Sequence, residues 1–582
     1  MPLSVGTSSS HYEVTHSSGS CCRVCRADAS VSVHPVNVAS PTTGVPVHAV
    51  LGLLPLTAVA VLILVTGRER VASLPCGAAL WRVTATELRT TDGLLGCAEA
   101  TAEASAADAQ YLALLRAALA EPWLMFISRG DATRRAGSAS SSAAGCQCRW
   151  DGVSLNFAWN AHLAQPLLAA GAGAFCPPVV CGWAGERTTH STPPLRVSLL
   201  LRRHCGRPGR RLWTRGLDTA GAAANSVESE QLLLRPGAAE TTAFTQLRGS
   251  VPLLWSQPPT LAGKPPILLS PGPHSAAAHR AHYATLAERY GTPILSLSLL
   301  KATGREAALG NAFAAAAAEE PSAAGALIAF DFTAEGGASE KGRAAMLAML
   351  APHLRSIGIT HVRDGRVLRS QAGVVRTNCL DCLDRSNLAE TEMGCAAAMQ
   401  QMDALDVCAE QRAEALSLLR SLWGVAGDAV SLQYTGTAAQ RRDRSARLSR
   451  ASALAWLRDA AISAARYVLN NHADARLCDA AALVSGAHVP SSRASPFPRG
   501  AFGRAACALK RLPALQAAAL YCAFRAASAA WAVPLLQGDA MHAGAAAAAW
   551  ATVAAALTHL ALTHGAAFVA RPLLASKEAS AS

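Results

Sequence analysis

Cys379 and Arg385 stand with five residues between them in the stretch Arg376–Asn387, RTNCLDCLDRSN. A cysteine and an arginine at this spacing can do phosphate chemistry if one loop brings both to the same anion. The thiolate attacks phosphorus, and the planar guanidinium fork spans two phosphate oxygens. Val374 and Val375 lead in as the end of a strand. After Asn387 the chain reads LAETEMGCAAAMQQM, rich in helix formers and acidic in its first turn. Strand, tight loop and helix make backbone N–H groups and a helix N-terminus converge on an anion. The same field favours the ionised form of Cys379. In a chain with 17 cysteines such a pair also arises by accident, so its neighbours must carry the weight.

Two carboxylates, Asp381 and Asp384, lie inside this loop, where they repel a dianion. They are tolerable if turned onto N–H or arginine groups, or if one is protonated. A protonated one is a natural general acid for the leaving oxygen. The expectation is Asp381 as acid, with Asp384 structural.

The whole string resembles the signature of the SAC-domain phosphoinositide phosphatases, R-x-N-C-x-D-C-L-D-R-[ST]-N, with every fixed position met. Tyrosine and dual-specificity phosphatases carry His before the cysteine and glycines in the loop; here Asn378 precedes it and Leu380–Asp384 contains no Gly. The resemblance implies hydrolysis of a phosphate monoester on an inositol ring, phosphatidylinositol 4-phosphate first and the 3-phosphate second. Cys379 would form a cysteinyl-phosphate, and Arg385 with the loop N–H groups would hold the equatorial oxygens. Leu380, Leu383 and Asn387 belong to the same phosphate loop, and Arg376 and Asn378 brace it. Cys382 is structural, or the partner of Cys379 in a protective disulfide on oxidation. Ser386 polarises the thiolate or helps release phosphate. No metal or other cofactor is needed, because the cationic loop supplies the charge. From another class, a catalytically impaired lipid-binding tether remains open.

The elements that would position these residues are legible upstream. Val50–Arg70, VLGLLPLTAVAVLILVTGRER, has the length of a membrane span. Gly52 and Pro55 interrupt it, and its β-branched content predicts buried strands instead. With Leu80–Leu88 it resembles the opening strands of the SAC family, through Gly52, the Gly67–Arg70 turn and Trp81–Thr84. Phe157–Leu168 resembles a family helix. Arg196–Leu234 resembles the family's arginine- and glycine-rich segment, with Gly209, Arg211, Arg215, Gly216, Asp218, Gly221, Ala224, Asn225, Val227, Glu228, Glu230 and Gln231 in place. Phe244–Gln257, FTQLRGSVPLLWSQ, and Ala426–Ala439, AGDAVSLQYTGTAA, are similar to two further segments. A helix over 279–290 and strands over 293–299 and 327–332 predict an α/β catalytic part. Phe330-Asp331-Phe332 resembles the family's F-D-F-H strand, with Thr333 where His is usual. Residues 128–148, rich in Gly, Ser and Ala, read as an inserted loop.

Composition sets the partners. Net charge is +13 and mean hydropathy +0.21. The charge calls for an anionic partner; with no nucleic-acid module in the sequence, the anionic cytosolic leaflet of a membrane is expected rather than nucleic acid. Five arginines within 441–450 could lean on headgroups or form a solvated face. The cysteines show no secreted disulfide pattern and read as free thiols, and no signal peptide is apparent. At the C-terminus, Leu512–Leu536 and Ala540–Val569 are apolar, with Asp539 at the turn and Lys510, Arg511, Arg571 and Lys577 outside. That pattern predicts a two-pass hairpin with cytosolic ends, and the membrane-anchored branch of the SAC family, resident in endoplasmic reticulum and Golgi, has such a tail. The expected fold class is α/β (α+β overall): a disordered 1–44, a β-rich N-terminal subdomain over 45–260 and an α/β catalytic subdomain over 261–475. A linker over 476–511, two transmembrane helices over 512–572 and a short 573–582 tail complete it.

Overall fold

In the computed structural model the described residues are 3–491, apart from 18, 36–43, 76, 95–101, 129, 139–149, 238, 262–264, 320–325 and 441–452; beyond these come 496–497, 545, 547–556, 559 and 569–574. The Arg441–Arg450 cluster, most of the 128–148 tract, Leu512–Leu536 and most of Ala540–Val569 therefore lie outside them. Among the described residues no helix is long and apolar enough to cross a membrane.

The apolar run at Val50–Arg70 is a hairpin, β6 (Ala49–Pro55) and β7 (Ala60–Ser73), continued by β8 (Ala79–Thr90). Its lack of alternation has a packing cause. Leu51, Ile63 and Val65 face one apolar cluster, and Val50, Leu53, Leu62 and Leu64 face another, so both faces are buried. At Gly52 helix α2 (Ala161–Ala169) comes so close that an added Cβ would sit 2.4 Å from the Cβ of Leu163. The helix α1 (Ala102–Leu119) connects β8 to β9 (Leu124–Ile127).

The expectation of disorder over 1–44 is corrected. Strands β1 (Leu3–Thr7), β2 (His11–His16), β3 (Ser20–Cys25), β4 (Val31–Pro35) and β5 (Val45–Val47) form an antiparallel sheet in the order β4-β3-β2-β1-β5. Leu3, Val5, Tyr12, Val14, Cys22 and Val24 project from one face onto the second of those clusters. The period of two is present, but the intervening Ser, Thr and His hide it.

From β9 the main sheet runs antiparallel through β10 (Val179–Thr188), β11 (Arg196–Arg203), β12 (Val227–Arg235) and β13 (Glu240–Arg248). A short pair, β14 (Trp255–Ser256) and β15 (Leu268–Leu269), follows. The sheet then turns parallel: β13 pairs with β20 (Val374–Asn378), β20 with β16 (Ile294–Ser298), and β16 with β17 (Leu327–Ala329). The hairpin β18 (Thr360–Arg363) and β19 (Arg366–Arg369) attaches to β13. Helices α3 (Pro273–Tyr290), α4 (Ala307–Glu319) and α5 (Glu340–Ile357) alternate with the parallel strands, as an α/β reading requires. The mixed α/β class holds, but one sheet crosses the expected boundary at 260, so the two parts share a framework.

Helix α6 (Asp384–Ala404) follows the loop, and α7 (Ala409–Thr435) packs Leu419, Leu422, Trp423 and Val430 on Val197, Leu199 and Leu201 of β11. It stops at Gly436, which takes the left-handed conformation at φ 71 and returns its N–H to Leu432. Next come α8 (Ala453–His472) and α9 (Asp474–Ser485). The linker expected over 476–511 is therefore corrected in its first part. Ala480, Ala482, Leu483 and Val484 pack with Tyr111 and Leu115 of α1. A uniformly alanine-rich sequence gave no contrast by which to see that face. The expected span over 512–572 is also too long at its end: Val569 and Ala570 are buried, and Ala570 bonds the Asn471 carbonyl.

Candidate active site

Cys379 directly follows β20 and Arg385 lies in the first turn of α6, so the loop between them closes at a helix N-terminus. The thiol is buried, 2 % exposed, and lines a cavity of about 380 Å³ together with Arg385. Its Sγ accepts the Cys382 backbone N–H at 3.0 Å and the Ser386 hydroxyl at 3.5 Å. Cys382 can point its N–H there because it adopts φ 51. Burial pushes the Cys379 thiol up, but the Cys382 hydrogen bond, the Arg385 charge and the Ser386 hydroxyl outweigh it and lower the pKa to about 6. The lowered pKa favours the thiolate form near neutral pH. Cys382 is its opposite: burial and the neighbouring Cys379 hold its thiol well above the ordinary value, and its Sγ–H donates to the Gly249 carbonyl at 2.8 Å.

The two carboxylates are turned onto arginines. Asp381 accepts from Arg211 Nη2 at 2.9 Å and from Arg215 Nη2 at 2.6 Å. Burial raises its pKa, but those two guanidinium groups overwhelm the effect and hold the carboxyl far below the usual range. In this arrangement Asp381, expected as the general acid, stands as a carboxylate bridging two arginines. Asp384 pairs with Arg466 Nη1 at 2.9 Å and accepts the Gln440 N–H at 2.7 Å.

The remaining loop residues are tied down. Arg376, fully buried, donates to His282 Nε2 at 2.9 Å, to the Ser250 carbonyl and to Asn378 Oδ1 at 3.5 Å. Asn378 donates to Ser298 Oγ at 3.3 Å. The Leu380 carbonyl accepts from Arg215 Nη1 at 2.9 Å. Asn225 Nδ2 holds the Asp381 and Cys382 carbonyls, each at 3.3 Å. Leu383 is the N-cap of α6 and buries its side chain beneath the loop. Asn387 Oδ1 accepts from Arg248, whose other arm reaches Glu390.

The separate segments singled out in the sequence thus converge on one loop. Arg211, Arg215 and Asn225 come from 196–234, Arg248 and Gln257 from 244–257, and Tyr434, which accepts the Arg211 N–H at 3.1 Å, from 426–439. Glu228, Glu230 and Gln231 do other work. They pair with the buried Arg202 at 2.9 and 2.7 Å and, through Gln231, hold the Gly394 carbonyl of α6 at 3.0 Å. Thr333 is exposed beside Asp331, which accepts its N–H at 2.9 Å, and does not line the cavity. Arg466 and Glu306 are among the groups at the site not singled out from the sequence. Arg466 sits in an alanine-rich helix, and Glu306, which grips Arg385, sits in a turn without a motif.

The chemistry on view is a buried thiolate, a helix N-terminus and a cationic cavity, which together suit a phosphate monoester. Comparison with known proteins agrees. The sequence profile of the SacI homology domain matches residues 48–336. The phosphoinositide phosphatase SAC8 of Arabidopsis thaliana is 31% identical over 464 residues, covering 77% of this chain and 76% of that protein. The phosphatidylinositol-3-phosphatase SAC1 of Drosophila melanogaster is 31% identical over 398 residues, 65% of each. Synaptojanin of Caenorhabditis elegans is 34% identical over 285 residues, 48% of this chain and 24% of its own. On that similarity, and with the loop it leads into, the chain belongs to the SAC family of phosphoinositide phosphatases.

Proposed function

We propose that this protein hydrolyses the phosphate monoester of phosphatidylinositol 4-phosphate, and also of the 3-phosphate, through a cysteinyl-phosphate. The observation that carries this reading is a Cys379 thiol lowered to about 6 in a cavity of about 380 Å³ that Arg385 also lines. The Cys379 thiolate attacks phosphorus, forming the S–P bond as the bond to the inositol oxygen breaks. Arg385 and the loop N–H groups balance charge on the equatorial oxygens. Asp381 and Asp384, the only carboxylates among the described lining residues, are both ion-paired. The inositol oxygen takes its proton from Asp381 once substrate draws the arginines onto the phosphate, or else from water, and a water then cleaves the S–P bond to release phosphate. Asp381 and Asp384 then serve to aim Arg211, Arg215 and Arg466 at the headgroup.

The membrane address belongs to the same proposal: endoplasmic reticulum and Golgi, with the domain in the cytosol and the 512–568 region as a two-pass anchor. The flanking cations and Asp539 support it. The test is phosphate release from a panel of phosphoinositides in mixed micelles, beside a phosphotyrosine peptide. Monophosphoinositide turnover that is lost in Cys379→Ser supports the proposal. Preference for the peptide, or a wild-type protein that binds lipid without turnover, overturns it.

A further inference from the structure

Arg385 is held from behind. Its Nη1 donates to the Leu299 carbonyl at 2.8 Å and to Glu306 Oε2 at 2.8 Å, and its Nη2 donates to Glu306 Oε1 at 2.7 Å. A guanidinium has five N–H groups in a rigid plane. Glu306 occupies the end-on edge and Leu299 the outer N–H of Nη1. What remains is the side-on edge, Nε–H and the second N–H of Nη2, whose spacing matches two oxygens of a phosphate. The other edges are closed.

The two clamps are themselves fixed. Leu299 donates its own N–H to the Asn378 carbonyl at 2.8 Å, one residue before the nucleophile, so its carbonyl is set by the strand that carries Cys379. Glu306 ends a short 3-10 turn, Gly304–Glu306, is 8 % exposed, and also accepts the Lys301 N–H at 3.0 Å. Asp331 pins the same turn by accepting the Ala302 N–H at 2.8 Å. A carboxylate beside a phosphate site opposes the anion electrostatically, so its presence has to be offset by what it does to geometry.

We infer that Glu306 is a positioning residue for catalysis, which with the Leu299 carbonyl locks the Arg385 fork so that only its Nε–Nη2 edge faces the transferred phosphoryl group. This rests on the phosphatase reading above. Without the clamp Arg385 keeps its charge but samples other rotamers. Ionisation of Cys379 then survives, while stabilisation of the in-flight phosphoryl group is lost.

The full chain is assayed as wild type, Glu306→Gln and Glu306→Asp, on phosphatidylinositol 4-phosphate micelles and on a soluble aryl phosphate. Orthovanadate inhibition and the pH dependence of Cys379 alkylation by iodoacetate are measured alongside. Both variants are expected to lose roughly 10- to 100-fold in kcat with KM within about threefold, and to bind vanadate correspondingly less well. The alkylation pKa is expected to stay at or below the wild-type value, since an anion has been removed or moved away. Asp retains the charge but falls a methylene short, so its failure to rescue separates reach from charge. Wild-type kcat and vanadate inhibition in both variants overturn the inference. So does a loss of kcat accompanied by an alkylation pKa raised to the ordinary cysteine range, which marks collapse of the Cys382 and Ser386 contacts as well. A wild-type protein that releases no phosphate from either substrate overturns the phosphatase reading instead.

Discussion

Asp381 shows how a residue can be found from the sequence while its role is set by partners far away in the chain. Two carboxylates in a phosphate loop posed a visible conflict, with two resolutions, protonation or pairing. Pairing is what the fold supplies, through Arg211 and Arg215, whose positions 170 and 166 residues upstream no local reading could connect to the loop. The two resolutions predict different kinetics. Asp381→Asn should cost about tenfold or more in kcat/KM, by the same factor for an inositol lipid and for an aryl phosphate with a good leaving group. Loss confined to the poor leaving group would mean that Asp381 donates the proton after all. The nucleophile carries its own prediction. With a pKa of about 6, Cys379 should alkylate at a rate that rises through pH 6 and levels off by pH 7. Ser386→Ala removes one stabilising hydrogen bond, so the pKa should rise, and the variant should lose more activity at pH 6 than at pH 8.

At the scale of elements, what the sequence disclosed followed from contrast. Strands β6 to β8, helix α3 and the strand–loop–helix around Cys379 stood out because Gly, Pro, β-branched residues and a motif bounded them. The N-terminal sheet did not, since Ser, Thr and His between its apolar residues resemble the composition of a loose segment. Helix α9 was hidden for the opposite reason: where alanine is everywhere, helix propensity marks no boundaries. That helix begins with a destabilising feature. Asp474 is buried, and neither carboxylate oxygen has a hydrogen-bond partner among the described residues. Burial, only partly offset by Arg210 and Arg211, pushes its carboxyl up to about 6. A raised carboxyl pKa means that the folded state keeps a proton which the unfolded chain releases. Stability should therefore fall as pH rises from about 4 to about 6, by on the order of 3 kcal/mol at most. Asp474→Asn should recover much of that at pH 7.5 and almost none at pH 4, measured by denaturant unfolding. An equal change at both pH values would rule out the proton as the cause.

At the scale of the molecule, two sequence-level boundaries dissolve, the one at 260 into a continuous sheet and the one after 475 into α9. The chain also closes on itself. Phe497 packs on Tyr111 with ring centroids 4.8 Å apart, and Leu574 joins the same cluster. Asp479 accepts the N–H groups of Leu573 at 2.8 Å and Leu574 at 2.7 Å, while Ala570 bonds the carbonyl of Asn471, a residue lining the catalytic cavity. The chain on both sides of the stretch between 497 and 569 is thus held on the same domain. A single cut within that stretch should leave the two pieces bound as one particle on native gel filtration, and Asp479→Ala should let the smaller piece dissociate. Two anchor points bracket that stretch, so whatever it enters is joined to the domain by two covalent connections rather than one.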